Sequence, residues 1–243
     1  MEPNITLKEK LSKQPFTLAL SSGFFGFFAH YGLILALREA GLKPARTTGS
    51  SAGAVLAAAL AYDLSNEELK SVLGELKREK FWDPALGFGF LKGKLLEGML
   101  NELFHLRRQV APVTISTFDI FKRQTKSFSE GNIARAVRAS CAVPVMFHPV
   151  EIDGRHYWDG GILDKMALNS VAEGETVLIH YLPGNGVHRL YESRGVVEKL
   201  SKKFNVIATA NLPSVGPYNL NKGMLATEIA FEAASRKLNG AVH

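Results

Sequence analysis

Two short stretches carry residue types that could do chemistry. Gly49-Ser50-Ser51-Ala52-Gly53 sets two serines between glycines, directly ahead of an alanine-rich apolar run. It satisfies the G-x-S-x-G spacing only with Ser51 at its centre. A sharp strand-to-helix turn would hold that serine in strained backbone geometry, with small residues two places away on either side to avoid collision. The helix starting there would aim its N-terminal amides and positive dipole end at the same point, so that the N–H of Ala52 could donate to a developing oxyanion. Alone, the pentapeptide also fits an ordinary Gly/Ser turn. The second stretch is Asp159-Gly160-Gly161, in "YWDGGILDK". An isolated D-G-G is usually an Asx turn. Paired with a serine elbow, an aspartate held at a loop tip, with glycines that allow close approach, is a candidate general base.

The histidines downstream of Ser51 are His105, His148, His156, His180, His188 and His243. None falls in a late Gly-rich loop of the kind that carries a triad base. A Ser–His–Asp α/β-hydrolase stays open as an alternative. No clustered ligand spacing suggests a metal, and no cofactor is implied. Gly87-Phe88-Gly89-Phe90 and Gly184-Asn185-Gly186 lack the third glycine and helix start of a nucleotide fingerprint and read as turns.

The elements that would position these residues follow from periodicity and punctuation. Residues 15–22 read as a short buried strand, Phe27 to Ala40 as a helix ended by Gly41, and 43–50 as a second strand running into the elbow and the alanine-rich helix. That order is a βαβ unit and predicts a parallel sheet. Ser65-Asn66-Glu67-Glu68 is a capping-box pattern opening a helix over 66–81, and 92–106 is a further amphipathic segment. Residues 112–130 read as a strand pair, 132–143 as a helix stopping at Pro144, and 148–161 as a hairpin turning at Asp153-Gly154. "ETVLIHYL" and "NVIATANL" read as strands around the helix "VVEKLSKKF", and 222–240 as a final helix. These elements predict one domain, 1–243, of three-layer α/β/α class with a mostly parallel central sheet.

With 46% hydrophobic and 21% charged residues, the 243-residue chain is long enough for a sizeable core. Its one cysteine, Cys141, excludes an internal disulfide, and the first residues contain no signal-type apolar stretch, which points to a cytoplasmic protein. Cys141 itself reads as an inert thiol in an apolar helix. No apolar run is long enough to span a bilayer. The net charge of +6 and pI near 9.4 suit an anionic partner. No nucleic-acid module accompanies the basic residues, which scatter as on solvated helix faces, and any membrane contact would be peripheral, with an anionic surface. "FWDPALGFGFL" gathers apolar residues in a loop, readable as a lid or membrane-touching surface or as a buried loop.

Three stretches together resemble the patatin-like phospholipases, a family that uses a Ser–Asp dyad without a catalytic histidine. They are "LALSSGFFGFFAHYGLILAL", "GSSAG" and "SFSEGNIARAVRASCAVPVMFHPVEIDGRHYWDGGILDKMAL". The last is the most specific, following the family over some thirty residues; together they span roughly 17 to 168. The resemblance implies Ser51 as nucleophile and Asp159 as its base. It also implies oxyanion donors at Gly23, Phe24 and Ala52, and motif glycines at Gly26, Gly49, Gly53, Gly160 and Gly161. The implied activity is metal-independent cleavage of a fatty-acyl ester, of phospholipase A, lysophospholipase or carboxylesterase type, through an acyl-enzyme. One departure stands out. Where the family's oxyanion loop commonly reads G-G-G-x-R/K-G, this chain has Ser21-Ser22-Gly23-Phe24-Phe25-Gly26. A left-handed Ser22 would cost about 1–2 kcal/mol. The lost cation also leaves open a catalytically weakened lipid-binding protein on the same fold. Phe24 and Phe25, with Phe27 and Phe28 beyond, are candidates for an acyl-binding wall.

Overall fold

The computed structural model describes residues 5–104, 106–184 and 187–240; His105, His243 and the centre of Gly184-Asn185-Gly186 lie outside them. In chain order the elements are α1 (Leu7–Ser12), β1 (Thr17–Leu20), α2 (Phe27–Glu39), β2 (Arg46–Ser50), α3 (Ala52–Ala61) and α4 (Asn66–Gly74). Next come β3 (Gly89–Leu91), α5 (Lys94–Phe104), β4 (Val113–Asp119), β5 (Gln124–Phe128), α6 (Ile133–Ser140) and β6 (Val145–Phe147). The chain closes with β7 (Val150–Ile152), β8 (Arg155–Asp159), β9 (Val177–Tyr181), α7 (Val187–Ser201), β10 (Asn205–Ala208) and α8 (Gly223–Asn239).

The main sheet has eight strands in the order β10-β9-β1-β2-β4-β8-β7, with β5 paired to β4. From β10 to β4 every pair is parallel; β5, β8 and β7 add antiparallel pairs. The expected three-layer α/β/α arrangement, with a mostly parallel sheet, is what the chain forms. Alternation along the strands shows why both faces are covered. Leu18, Leu20 and Leu178 pack toward α2, α3 and α8, while Ala19, Val177 and Ile179 pack toward Val196, Val197 and Leu200 of α7. Buried parallel strands read as continuous apolar runs because both faces need partners. The chain runs from β1 outward through β2 to β4, then returns to the other side of β1 for β9 and β10. This places a switch of direction beside β1, where open α/β sheets form crevices at the carboxyl ends of their strands.

Several elements differ from their sequence reading. The helix expected over 66–81 ends at Gly74, because the chain turns there to insert Leu76 and Phe81 into the core. The capping box at its start is present, Ser65 Oγ accepting from the Glu68 N–H at 3.1 Å. An unexpected helix, α1, opens on a second capping box between Thr6 and Glu9. The loop 81–91 contains strand β3, paired in parallel with β6. The hairpin of β7 and β8 turns at Asp153-Gly154, both with positive φ, as a two-residue turn requires. Among the described residues, no helix is long and apolar enough to cross a membrane.

Candidate active site

The elbow forms where β2 runs into α3. Ser51 is the residue ahead of the helix, at φ 53° and ψ −123°, a combination that L side chains adopt only under strain. Three groups hold it there. The Ser51 N–H donates to Ser140 Oγ at 2.8 Å, and Ser140 Oγ donates to the Ser116 carbonyl at 2.6 Å. The Cys141 thiol donates to the Ser51 carbonyl at 3.3 Å. Small residues are needed here for close approach rather than for backbone freedom: a Cβ on Gly53 would stand 2.1 Å from the Leu20 carbonyl oxygen. One on Gly49 would meet the Gly53 carbonyl at 2.5 Å.

Asp159 reaches the same place through sheet register. One edge of β4 is taken by β5, so β2 and β8 must share the other. β2 ends with Ser50 opposite Ser116, and β8 ends with Asp159 opposite Thr117. Two strand ends far apart in sequence therefore meet head-on at consecutive residues of β4, and the next residue after Ser50 is Ser51. Its Oγ donates to Asp159 Oδ2 at 2.7 Å. The other carboxylate oxygen, Oδ1, accepts the Gly161 N–H at 2.7 Å. Gly160 presses against β4, where a Cβ would lie 2.1 Å from the Ser116 carbonyl oxygen. Burial pushes the Asp159 carboxyl up to about 6; the hydrogen bonds from Ser51 and Gly161 oppose the rise but do not cancel it.

The three candidate donor residues, Gly23, Phe24 and Ala52, line one cavity with this pair. Among the described residues, the N–H groups of Gly23, Phe24 and Ala52 donate to no other group of the chain. The turn after β1 is pinned instead by the Ser22 N–H to the Lys165 carbonyl, 2.8 Å, and the Gly26 N–H to the Gly23 carbonyl, 2.9 Å. The left-handed residue of this turn is Phe25, at φ 53°, not Ser22. Strain thus falls where the resembled family carries Arg or Lys.

A cavity of about 620 Å³ opens over Ser51 and Asp159. Phe24, Phe25 and Phe27 line it, as does Cys141; the thiol sits at the C-cap of α6 rather than within the helix and neighbours the serine, and burial pushes its pKa up, in keeping with its reading as an inert thiol. The place of Phe28 in the acyl-binding wall is corrected, since it is fully buried core under α2. Asp159 and Lys165 are the charged residues of the lining; Lys165, whose Nζ lies 5.2 Å from the Tyr181 ring centre, was not singled out from sequence. No histidine lines the cavity or bonds to Ser51 among the described residues. His148 packs on Gly87, His156 against Phe121, and His180 is sealed in the core with His30. Ser140 was missed as well, although it sits inside the "AVRAS" stretch; only the hydrogen-bonded geometry reveals it.

Comparison with known proteins follows the same lines. The family model described as patatin-like phospholipase matches residues 18–172. An uncharacterized NTE family protein of Mycobacterium tuberculosis is 31% identical over 161 residues, covering 64% of this chain and 45% of the relative. The uncharacterized protein YqhO of Bacillus subtilis is 24% identical over 169 residues, 54% of this chain and 58% of its own. The chain thus spans less than two thirds of the length of these relatives. Among solved structures, VipD from Legionella pneumophila superposes with a TM-score of 0.67 at 15% identity, over 92% of this chain and 66% of that one. The type III effector protein ExoU does so at 0.51 and 15% identity, over 92% and 52%. At such identities these two likenesses bear on the fold.

Proposed function

Because the chain belongs to the patatin-like phospholipase family, we propose that it is a serine lipid acyl hydrolase, cleaving fatty-acyl esters of phospholipid, lysophospholipid or simple carboxylic ester type. The observation that carries this reading is the 2.7 Å hydrogen bond from Ser51 Oγ to Asp159 Oδ2 at the base of an apolar cavity. In this reading Asp159 takes the Ser51 hydroxyl proton as Oγ attacks the ester carbonyl carbon. The oxyanion collects hydrogen bonds from the N–H groups of Gly23, Phe24 and Ala52. The leaving alcohol or lysolipid takes the proton from Asp159. Water then attacks the acyl-Ser51 ester, passing its proton to Asp159, which returns it to Ser51 Oγ as the acyl–Oγ bond breaks and the fatty acid departs. A carboxyl raised to about 6 is a better base than an ordinary aspartate, which narrows the gap to a hydroxyl. The dyad needs no metal. We place the protein in the cytoplasm, touching anionic membranes peripherally.

A Ser–His–Asp triad finds no imidazole in reach of Ser51 among the described residues. The second reading, a lipid-binding protein with little turnover, is favoured by Phe25 standing where a cation is common.

Fatty-acid release from phospholipid, lysophospholipid and short-chain ester, with chelator present, tests both. Turnover by the wild type that falls to background in Ser51→Ala and Asp159→Asn supports the hydrolase. Retention of turnover in either variant overturns the dyad, and vesicle binding without release by the wild type selects the lipid-binding protein.

A further inference from the structure

The cavity has an identifiable mouth. Phe24 and Ile162 both line it and yet stand 59% and 41% exposed. The wall of the same cavity includes the two-stranded sheet of β3 and β6, in which Gly89 pairs with Val145 and Leu91 with Phe147, and Val145 is exposed between the lining residues Pro144 and Met146. Leu91 and Phe147 face inward and line the cavity. The loop leading into this sheet, 84–91, instead exposes its apolar side chains. It is closed by a bridge between Pro84 and Leu91 and by a 2.9 Å hydrogen bond from the Ala85 N–H to the Phe90 carbonyl. At its tip Leu86 is fully exposed, Phe88 is 81% and Phe90 71% exposed, and Val145 stands out alongside. Single exposed apolar residues are ordinary on protein surfaces; three on one closed tip, with a fourth beside them, are not. The tip is also built rather than slack, since Gly87 carries the chain directly over the His148 ring.

Charge decides what this tip suits. From residue 77 to 94 the chain carries Lys77, Arg78, Lys80, Lys92 and Lys94 against Glu79 and Asp83. Asp83 is engaged, accepting the Gly93 N–H at 2.8 Å and the Leu95 N–H at 3.2 Å. Lys92 and Lys94 are exposed and follow the tip at once. An apolar point with a cationic collar matches the cross-section of an acidic bilayer, where acyl chains lie beneath anionic headgroups. A protein partner would need a broad complementary face of roughly 800 Å² a side, which a convex tip does not offer.

We propose that the 84–91 loop, with Val145, is a wedge that docks the cavity mouth on an anionic phospholipid bilayer. Leu86, Phe88 and Phe90 enter the acyl boundary, and Lys92 and Lys94 rest against the headgroups. The benefit to catalysis rests on the hydrolase reading above, since a long-chain ester would pass from bilayer to cavity without crossing water. The docking itself does not rest on it.

Co-sedimentation with vesicles of phosphatidylcholine, alone or mixed with phosphatidylglycerol, tests the wedge directly. The wild type is expected to pellet with the mixed vesicles. The double variant Phe88→Ser/Phe90→Ser should bind at least tenfold more weakly, because each ring lost from the acyl boundary is worth on the order of tenfold. Lys92→Glu/Lys94→Glu should lose binding to the anionic vesicles alone, together with its salt sensitivity. Turnover of a water-soluble short-chain ester should be unchanged in both variants while fatty-acid release from vesicles falls in step with binding. Undiminished vesicle binding by the phenylalanine variant, or none by the wild type, overturns the wedge. A dimer that becomes a monomer in the same variant assigns the tip to a second copy and also overturns it. If the wild type binds through the tip but hydrolyses neither vesicle nor soluble ester, the hydrolase reading fails and the wedge stands.

Discussion

His30 and His180 share a hydrogen bond between their Nδ1 atoms, 2.8 Å apart, with both rings sealed from water. The proton order of this pair follows from its ends. The Ser21 carbonyl can only accept, so His30 Nε2, at 2.8 Å, carries a hydrogen. In a neutral ring His30 Nδ1 is then an acceptor, His180 Nδ1 the donor, and His180 Nε2 accepts from the Thr209 hydroxyl at 2.9 Å. The chain of bonds runs from the end of β10 to the turn that carries Gly23 and Phe24. Burial holds both rings neutral, lowering His30 from 6.5 to about 4 and His180 likewise downward. The unfolded chain therefore binds protons that the native core refuses, and stability falls as pH drops from about 6.5 toward 4. His30 alone should contribute a loss on the order of 3 kcal/mol over that window. Urea denaturation from pH 8 down to pH 4 checks this, and His180→Leu, which leaves His30 Nδ1 unpaired, should cost about 1–3 kcal/mol at pH 8.

Asp159 gives a pH dependence of the opposite sign in stability and a separate one in activity. Its carboxyl is raised from 3.8 to about 6 by burial. The native state therefore holds a proton more tightly than the unfolded chain, so the contribution to stability is full below pH 4 and is lost as pH rises through 6. A base must be ionised, so kcat/KM on a soluble ester should fall about tenfold per pH unit below 6. Asp159→Asn should abolish turnover and raise Tm at pH 8, since a buried charge is removed. Equal Tm values for variant and wild type at pH 8 would contradict the cost assigned to that charge.

The glycines divide sharply by what surrounds them. At Gly53 a Cβ would lie 2.1 Å from the backbone oxygen of Leu20, and backbone cannot move aside as a side-chain tip can. Gly53→Ala should cost more than about 3 kcal/mol or prevent folding. Gly98, in the middle of α5, has nothing within 4 Å of its would-be Cβ. Gly98→Ala should instead stabilise by about 0.5–1 kcal/mol, the ordinary helix-propensity gain. Thermal denaturation of the two variants under one buffer compares them directly.

Legibility in the sequence follows how local each cause is. The elbow was readable because its G-x-S-x-G spacing fits within five residues and Gly49 is demanded by its near neighbour Gly53, although Gly53 itself is demanded by the distant Leu20 carbonyl; the β7–β8 turn at Asp153-Gly154 was readable for the same local reason. The capping box of α4 was visible, while its end was not, since Leu76 and Phe81 leave the helix for partners distant in sequence. The capping box of α1, between Thr6 and Glu9, is equally local. The meeting of Ser51 with Asp159 depends on β2 and β8 dividing one edge of β4, a register that motif spacing does not state; there the family resemblance supplied what pattern reading lacked. The histidine pair, the bond from the Cys141 thiol to Ser51 and the bond from Ser51 to Ser140 all join segments more than eighty residues apart, and nothing in their local sequence announces them.

Ser140 supplies the sharpest test of how the strained serine is held. Its Oγ accepts the Ser51 N–H and donates to the Ser116 carbonyl, tying the elbow to β4. Ser140→Ala strands both groups, which should cost about 1–3 kcal/mol in urea denaturation. A looser elbow also lets Ser51 relax from φ 53° toward ordinary backbone, moving Oγ off Asp159. Displacements near 1 Å at a reacting atom cost on the order of a hundredfold in rate, so kcat on a soluble ester should drop by that order with KM little changed. Ser140→Thr keeps the hydroxyl and should recover most of the activity. A Ser140→Ala enzyme with full kcat and only reduced stability would mean that Asp159 and Cys141 alone hold the nucleophile in place.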